Sequence, residues 1–231
     1  MTMKSKSDFL KRVHIFSDLE PGDLEKLESR LVERDVEKNE PIVRRNETGE
    51  ALYIVVFGEA RAVLVGKSGR EMVLSYFRRG DFFGEMAMID NKNRSADVFA
   101  NEETKLLVLR RDSFSDLIRS HPLIAIRIMS ELCARIRRAD EIIGDLALLD
   151  VYGRVARFFI ELVKRDGRNV GEWNVLPMPP TQVEIAGITG TSRETVSRIF
   201  SEYRLRGVLK KSNGMLYLKR SLLKEIAGED W

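Results

Sequence analysis

The segment from Val32 to Leu109 most limits the possible folds of this chain, because its pattern of apolar and turn residues differs from that of the segments on both sides. It consists of short runs rich in Val, Ile, Leu, Phe and Tyr, separated by Gly, Asn, Asp and Lys. The clearest runs are Ala51–Phe57, Ala60–Val65, Met72–Phe77 and Lys105–Leu109. Short strands with turn residues between them predict an antiparallel sandwich or barrel.

Helical periodicity surrounds this block. Phe9–Leu31 is predicted to be helical with a turn at Glu20–Asp23, because its leucines recur at spacings of three and four residues. Tyr152–Lys164 has the same periodicity, whereas Asp166–Pro180 is predicted to be a polar connection with Gly and Pro. A domain boundary is expected near Asp150.

Residues from Ser113 to about Leu148 are predicted to form one further helical segment that carries an apolar seam. The seam positions step by three and four residues, and they are Met129, Leu132, Ile136, Ala139, Ile143 and Leu146. Such a seam, with charged residues between its members, favours a partner helix and hence a homodimer through helix 122–148. The alternative is a long helix that lies across its own domain.

Composition excludes several classes of protein. A length of 231 residues favours two domains. No stretch reaches the roughly 18 apolar residues that a membrane helix needs, so we expect a cytoplasmic protein without a membrane partner. Cys133 is the one cysteine, and His14 and His121 are the two histidines, so no metal site is expected.

The net charge is unevenly distributed. Residues 152–231 hold 14 basic and 9 acidic residues, a net charge of +5, while the first 151 residues carry −2. A basic C-terminal third suggests a polyanionic partner. An ordinary solvated surface explains the charge alone equally well.

Two short helices are predicted within Thr181–Phe200. Thr181 and Glu184 have capping-box spacing directly after two prolines, and Gly190 suits the positive φ of a tight turn. The second helix is capped either by Thr191 with Glu194 or by Ser192 with Thr195. Two helices joined by a tight turn that contains glycine form a helix-turn-helix motif.

The second helix separates apolar from polar residues. Its apolar positions are Val196, Ile199 and Phe200, and its polar positions near the N-terminus are Arg193, Glu194, Ser197 and Arg198. That end of a recognition helix enters the major groove, where arginine pairs with guanine and glutamate accepts from cytosine. The structural alternative is an exposed amphipathic helix.

A hairpin is predicted after this helix. Two apolar runs within Gly207–Leu218 surround Ser212-Asn213-Gly214, a strong turn signal. The hairpin corresponds to the wing of a winged helix. Lys210 and Lys211 are placed either to contact backbone phosphate or to face solvent.

Two segments together resemble the CRP/FNR family of bacterial regulators, and the resemblance covers nearly the whole chain. They are Thr191–Arg198, and Phe82–Ala87 followed by Arg94-Ser95-Ala96. The resemblance implies an α+β protein: an N-terminal antiparallel β-roll of the cyclic-nucleotide-binding type, a long dimerisation helix and a C-terminal winged helix-turn-helix. The implied domains are residues 1–120, 121–149 and 150–231.

The second segment resembles the phosphate-binding cassette of the family. The implied ligand-binding residues are Gly84, Glu85, Met86, Arg94, Ser95, Ala96, Arg135 and Asp140. Arginine with hydroxyl and backbone N–H groups can neutralise a cyclic phosphate, and a carboxylate can accept from a ribose hydroxyl. The alternative is a strand–turn–helix with a surface arginine and a salt bridge at Glu85.

One position departs from the family pattern. The family's cAMP-binding member contacts adenine through a Thr-Ser pair on the long helix, where this chain has Ala139 and Asp140. The carboxylate of Asp140 can accept from an exocyclic amine of either adenine or guanine. Cyclic AMP remains the first expectation, followed by cyclic GMP and cyclic di-GMP. Iron–sulfur and haem sensing are disfavoured, because the necessary cysteine cluster and β-domain histidine are missing from the sequence.

The resemblance implies a dimeric regulator, controlled by a cyclic nucleotide, that recognises a TGTGA-like palindrome and contacts RNA polymerase. The implied DNA-binding residues are Thr181, Gln182, Ser192, Arg193, Glu194, Thr195, Ser197, Arg198 and Lys210. The alternative is the same dimer under another effector, or a constitutive dimer with a non-functional pocket. No catalytic motif is evident, so neither catalytic residues nor an enzyme is expected. A ligand-binding scaffold without DNA function is the remaining alternative.

Overall fold

The computed structural model describes residues 6–67 and 69–222. The described residues divide into two compact units, one built from residues 6–65 and 73–138 and the other from residues 66–67, 69–72 and 139–222. None of the helices in the described residues is long and apolar enough to cross a membrane.

Within the described residues, eight strands form the two sheets of the first unit. They are β1 (Leu31–Val36), β2 (Pro41–Val43), β3 (Ala51–Phe57), β4 (Ala60–Val65), β5 (Glu71–Phe77), β6 (Phe82–Phe83), β7 (Asp97–Ala100) and β8 (Thr104–Arg110). One sheet has the strand order β1-β8-β3-β6 and the other the order β2-β7-β4-β5. Antiparallel pairing within both sheets confirms the predicted β-roll.

Strand β3 shows why its sequence is an almost unbroken apolar run. Leu52, Ile54 and Val56 pack into a core formed with the helices of this unit. Val55 points to the opposite face and packs into a second core with residues of the other sheet. Because successive side chains of a strand leave opposite faces, a strand covered on both sides is apolar throughout.

Five α-helices of the described chain accompany these strands. They are α1 (Lys6–Leu10), α2 (Pro21–Ser29), α3 (Glu85–Asp90), α4 (Arg111–Ser120) and α5 (Pro122–Leu148). A short 3₁₀ turn, His14–Phe16, lies between α1 and α2. Proline at the first position of α2 has the fixed φ that suits a helix start.

The prediction of helix over Phe9–Leu31 is wrong in two places. Residues 11–20 hold only the short 3₁₀ turn, and α2 begins at Pro21, inside the predicted turn, and ends at Ser29. Leu31 is the first residue of β1 and pairs with Leu109 of β8. Its side chain is nevertheless buried in the same core as Leu24 and Leu27. Leu31 is therefore a core residue, as its spacing from Leu24 and Leu27 suggested, but its side chain enters the core from a strand and not from a helix.

The prediction of one helix from Ser113 to Leu148 is wrong at His121. This residue separates α4 from α5 and has φ −133° and ψ 76°. Pro122 follows it, and the proline ring disfavours helical geometry in the residue before it. The imidazole Nε2 of His121 lies 3.0 Å from Asp23 Oδ2, which ties the break to α2.

The second unit is a winged helix. Its described elements after α5 are α6 (Val151–Asp166), β9 (Arg168–Val170), β10 (Trp173–Leu176), α7 (Gln182–Thr189), α8 (Arg193–Leu205), β11 (Leu209–Ser212) and β12 (Met215–Lys219). The strands form one antiparallel sheet in the order β11-β12-β10-β9, and α6, α7 and α8 share a core with it.

The prediction that Asp166–Pro180 is only a connection is wrong. The hairpin β9–β10 occupies residues 168–176, and Val175 and Leu176 are buried. Because β9 has only three residues, all of them exposed, its sequence shows no alternation that would reveal a strand.

Candidate functional site

A buried arginine is the central feature of the first unit's candidate site. Arg94 is only 6% exposed. Its Nη1 donates to the carbonyl of Gly84 and its Nη2 to the carbonyl of Ala51, both at 2.8 Å. The guanidinium carbon lies 5.6 Å from the ring centroid of Tyr53. Burial lowers the pKa of Arg94, but a guanidinium stays charged at neutral pH.

Two glycines make room for this guanidinium. A Cβ at Gly84 would lie 2.6 Å from Nη1 of Arg94 and 2.8 Å from the carbonyl oxygen of Ala51. A Cβ at Gly49 would lie 2.3 Å from the Cβ of Ala87 and 3.1 Å from the guanidinium. The backbone therefore approaches Arg94 more closely than any other residue type permits.

We expect Gly84→Ala to destabilise the first unit by about 1–3 kcal/mol, because Gly84 has φ +90° and its new Cβ would displace Arg94. Urea unfolding measures this loss. Gly22→Ala is the matched control, since nothing lies within 4 Å of a Cβ there. Equal unfolding midpoints for Gly84→Ala and the wild type would contradict the tight fit around Arg94.

A buried carboxylate lies next to Gly84. Glu85 is 1% exposed and begins α3. Burial raises the pKa of Glu85, while the charge of Arg135 opposes the shift. Glu85 Oε1 accepts from Nη1 of Arg135 at 2.9 Å, whereas its buried Oε2 has no hydrogen-bond partner among the described residues. Oε2 is thus a free acceptor inside the protein.

Arg135 of α5 is held from two sides. Its Nη2 donates to the carbonyl of Phe82 at 2.7 Å, and its guanidinium lies over the rings of Phe77 and Phe82 at 5.2 and 5.1 Å. Arg135 therefore connects the long helix to the carboxylate of Glu85.

The remaining predicted ligand residues have different environments. Ala96 is buried and Met86 is 47% exposed, while Ser95 is exposed with its hydroxyl 3.9 Å from the sulfur of Met86. Asp140 is exposed and lies five residues after Arg135 on α5. At 3.6 residues per turn, its side chain leaves the helix about 140° away from that of Arg135, close to the apolar seam.

Sequence reasoning missed three residues of this site, Gly49, Tyr53 and Arg111. Arg111 donates to the carbonyls of Gly49 and Ala87 and to the side chain of Asn91, and so fixes the surroundings of α3. No local pattern reveals these contacts, because Arg111 and Gly49 are 62 residues apart in the chain.

The second unit contains the predicted helix-turn-helix. The capping box of α7 is confirmed: Thr181 Oγ1 accepts from the Glu184 N–H at 3.2 Å, and Glu184 accepts from the Thr181 N–H at 2.6 Å. Gly190 has the expected positive φ of 65°. Of the two caps considered for α8, the structure has Ser192, whose hydroxyl accepts from the Thr195 N–H at 3.2 Å.

Helix α8 has the predicted division of faces. Val196 and Ile199 are fully buried, whereas Phe200, which was predicted to share their face, is half-buried. On the outer face the exposed residues are Arg193, Glu194 and Arg198, and Ser197 and Thr195 are half-buried. The backbone N–H of Glu194 and the hydroxyl of Ser192 lower the pKa of this carboxyl, so that it is ionised at neutral pH.

The predicted hairpin is confirmed as β11–β12. Asn213 and Gly214 form its two-residue turn with φ values of 50° and 76°, the positive pair typical of a type I′ turn. Lys210 is exposed on β11, and Gln182 is half-buried at the start of α7. In residues 6–67 and 69–222, no three His, Cys, Asp or Glu residues cluster as a metal site would require.

Three features define the class of protein: a β-roll with a buried, charged arginine, a long helix with an apolar seam, and a winged helix-turn-helix. Together they are typical of a ligand-controlled, DNA-binding transcription regulator. Comparisons agree with this class. The family model of the cyclic nucleotide-binding domain matches residues 33–121, and that of the Crp-like helix-turn-helix domain matches residues 153–226.

Individual relatives identify the family. The chain is 33% identical to the cyclic AMP receptor protein of Thermus thermophilus, over 92% of this chain and 96% of that protein. It is 30% identical to a CRP-like cAMP-activated global transcriptional regulator of Mycobacterium tuberculosis, over 88% and 91% of the two chains. The c-di-GMP responsive global regulator CLP of Xanthomonas campestris shares the fold, with a TM-score of 0.75, 23% identity and coverage of 87% and 99%. The chain belongs to the CRP/FNR family of transcription regulators.

Proposed function

We propose that cyclic AMP is the effector of this cyclic-nucleotide-binding, DNA-binding regulator. Cyclic GMP and cyclic di-GMP are the alternatives. Arg94 supports the cyclic phosphate of such an effector, because it is a buried cation that has carbonyl partners but no salt bridge among the described residues. A buried charge is costly unless it is paired. A cyclic phosphate supplies the missing anion.

The other ligand contacts follow from the geometry around Arg94. Oε2 of Glu85, buried and without a partner among the described residues, accepts from a ribose hydroxyl, while Arg135 orients Glu85 and its charge opposes the rise in pKa that burial causes. The backbone and small side chains that line the phosphate are those of Gly84, Met86, Ser95 and Ala96. Asp140 contacts the base, and its place beside the seam suits a base bound in the partner protomer.

Calorimetric titration with the three nucleotides tests the effector. We expect saturable binding of one of them, with cyclic AMP the first choice. If only a guanine nucleotide binds, that nucleotide is the effector, and the proposed phosphate site is still supported. Absence of binding by all three would contradict the proposal, leaving a constitutive regulator or one under another effector.

Five of the six seam residues of α5 are exposed, which supports a homodimer, while the sixth, Leu132, packs partly against the core of the first unit. Ile136 is 60% exposed, Ile143 62%, Met129 54% and Leu146 41%. A row of large apolar side chains at a/d spacing is a surface that a second helix covers. We therefore propose dimerisation through helix 122–148, with domains at residues 1–120, 121–149 and 150–231.

In the DNA complex, α8 lies in the major groove and reads a TGTGA-like half-site. Arg193, Glu194 and Arg198 read the bases, because they are the charged residues exposed in its first two turns, the end of the helix that enters the groove. The remaining contacts position the backbone, and their residues are Thr181, Gln182, Ser192, Thr195, Ser197 and Lys210. Nucleotide binding shifts the dimer toward the state that binds DNA.

This regulator acts in the cytoplasm, where its DNA lies, and contacts RNA polymerase rather than catalysing a reaction. The relative from Mycobacterium tuberculosis is a transcriptional regulator by name. A turnover assay with cyclic nucleotide checks this point, and hydrolysis would contradict it.

We expect Arg193→Ala to weaken binding to the palindrome by about 1–3 kcal/mol per half-site and to relax specificity at one base pair. Loss of one bidentate guanine contact is the cause. Arg204→Ala is the control, since Arg204 lies in the last turn of the same helix and bonds to Phe200 and Ser201. Affinity measured on single-base variants of the site tests the prediction. Identical specificity profiles would contradict the role of Arg193.

A further inference from the structure

The outer face of the winged-helix sheet carries two aromatic rings and a lysine. Trp173 of β10 and Tyr217 of β12 meet edge to face with their centroids 6.4 Å apart. Nζ of Lys210 lies 4.3 Å from the centroid of Trp173 and 5.1 Å from that of Tyr217. The ammonium group therefore rests against both rings.

The two lysines next to Trp173 differ in their partners. Nζ of Lys219 lies 5.6 Å from the Trp173 ring and 3.4 Å from a carboxylate oxygen of Glu172. Lys210 is exposed and has no salt bridge among the described residues. The rings thus hold a cation whose charge is not neutralised by a described carboxylate.

This contact prepares Lys210 to bind an anion. A free lysine side chain loses much rotational freedom when its ammonium is fixed, and contact with rings on one side removes part of that freedom beforehand. The ammonium still presents N–H donors on its other side. An anion that approaches from solvent meets a charge already in place.

We propose that Trp173 and Tyr217 are positioning residues that hold the ammonium of Lys210 for a phosphate of the DNA backbone. The proposal rests on the DNA-binding function proposed above. Lys210 lies on β11, the first strand of the wing, and is three residues before Asn213, the first residue of the two-residue turn. A phosphate contact there adds affinity that is independent of base sequence.

The salt dependence of DNA binding tests the phosphate contact. Each phosphate neutralised on B-DNA contributes about −0.9 to the slope of log K against log salt, so Lys210→Met in both protomers makes the slope less steep by about 1.8. Lys26→Met is the charge control, since Lys26 belongs to α2 of the first unit and is solvent-exposed. Its slope stays at the wild-type value.

A double-mutant cycle tests the positioning role. We expect Trp173→Leu to weaken DNA binding about fivefold in the wild-type background and to have no effect in the Lys210→Met background. Trp173→Phe, which keeps a ring, restores most of the affinity. Equal losses in both backgrounds would show that Trp173 acts through general stability, and would overturn the proposal.

The outcomes separate this inference from the proposed function. An unchanged salt slope in Lys210→Met overturns the inference, while base-specific binding that Arg193→Ala relaxes still supports DNA recognition by α8. Failure of the wild-type protein to bind any palindrome, with and without nucleotide, overturns both.

Discussion

Replacing Arg94 by glutamine is expected to weaken nucleotide binding at least about 100-fold. Arg94 is only 6% exposed, so the bonds of its guanidinium to a phosphate form in a poorly screened environment. Charge-assisted hydrogen bonds contribute about 1.5–3 kcal/mol each, and a bidentate pair accounts for the loss. Calorimetric titration of the purified variant measures it.

Two variants sharpen this prediction. Arg94→Lys keeps the charge but not the planar fork that reaches the carbonyls of Gly84 and Ala51, so we expect an intermediate affinity. Arg45→Gln removes an exposed arginine from the same unit and is expected to bind as the wild type does. A folded Arg94→Gln protein with wild-type affinity would contradict the phosphate site.

Replacing Ile136 by aspartate is expected to raise the dimer dissociation constant at least about 1,000-fold. Ile136 is 60% exposed in the single chain, and the proposed partner helix covers it. The variant loses burial of an apolar side chain and places two carboxylates in the seam, a cost of several kcal/mol per dimer. Affinity for the palindrome falls with it, because two half-sites then require two separate binding events.

Sedimentation at micromolar concentration measures the state of the Ile136→Asp variant. Phe57→Asp is the matched control, since Phe57 is also 60% exposed but lies at the end of β3, outside the seam. It remains dimeric. A dimeric Ile136→Asp protein, or a Phe57→Asp protein that dissociates equally, would contradict dimerisation through helix 122–148.

Local signals in the sequence predicted most of the helix-turn-helix. The cap at Thr181, the positive φ at Gly190 and the turn at Asn213-Gly214 each depend on residues within four positions of one another. Four strands of the β-roll, β3, β4, β5 and β8, were predicted from apolar runs between turn residues, and β3 and β4 have the predicted bounds. Patterns of this length carry the information that decides the element.

Other features depend on contacts between distant residues. Gly49 is needed because Arg94 and Ala87 pack against its backbone, and no neighbour in the sequence indicates that crowding. Glu85 has one paired and one unpaired oxygen only in the folded protein, because Arg135, 50 residues later in the chain, bonds to Oε1 and leaves Oε2 without a partner among the described residues. The break at His121 is different, because Pro122 was visible in the sequence and the helical periodicity on both sides of it concealed its effect.

Affinity for a TGTGA-like palindrome, measured with and without cyclic nucleotide, shows whether a cyclic nucleotide controls this regulator. We expect the wild-type dimer to bind about 5- to 150-fold more tightly when nucleotide is present, the usual range of allosteric coupling. Arg94→Gln is predicted to show one affinity under both conditions. Equal wild-type affinities with and without each of cyclic AMP, cyclic GMP and cyclic di-GMP would contradict control by a cyclic nucleotide.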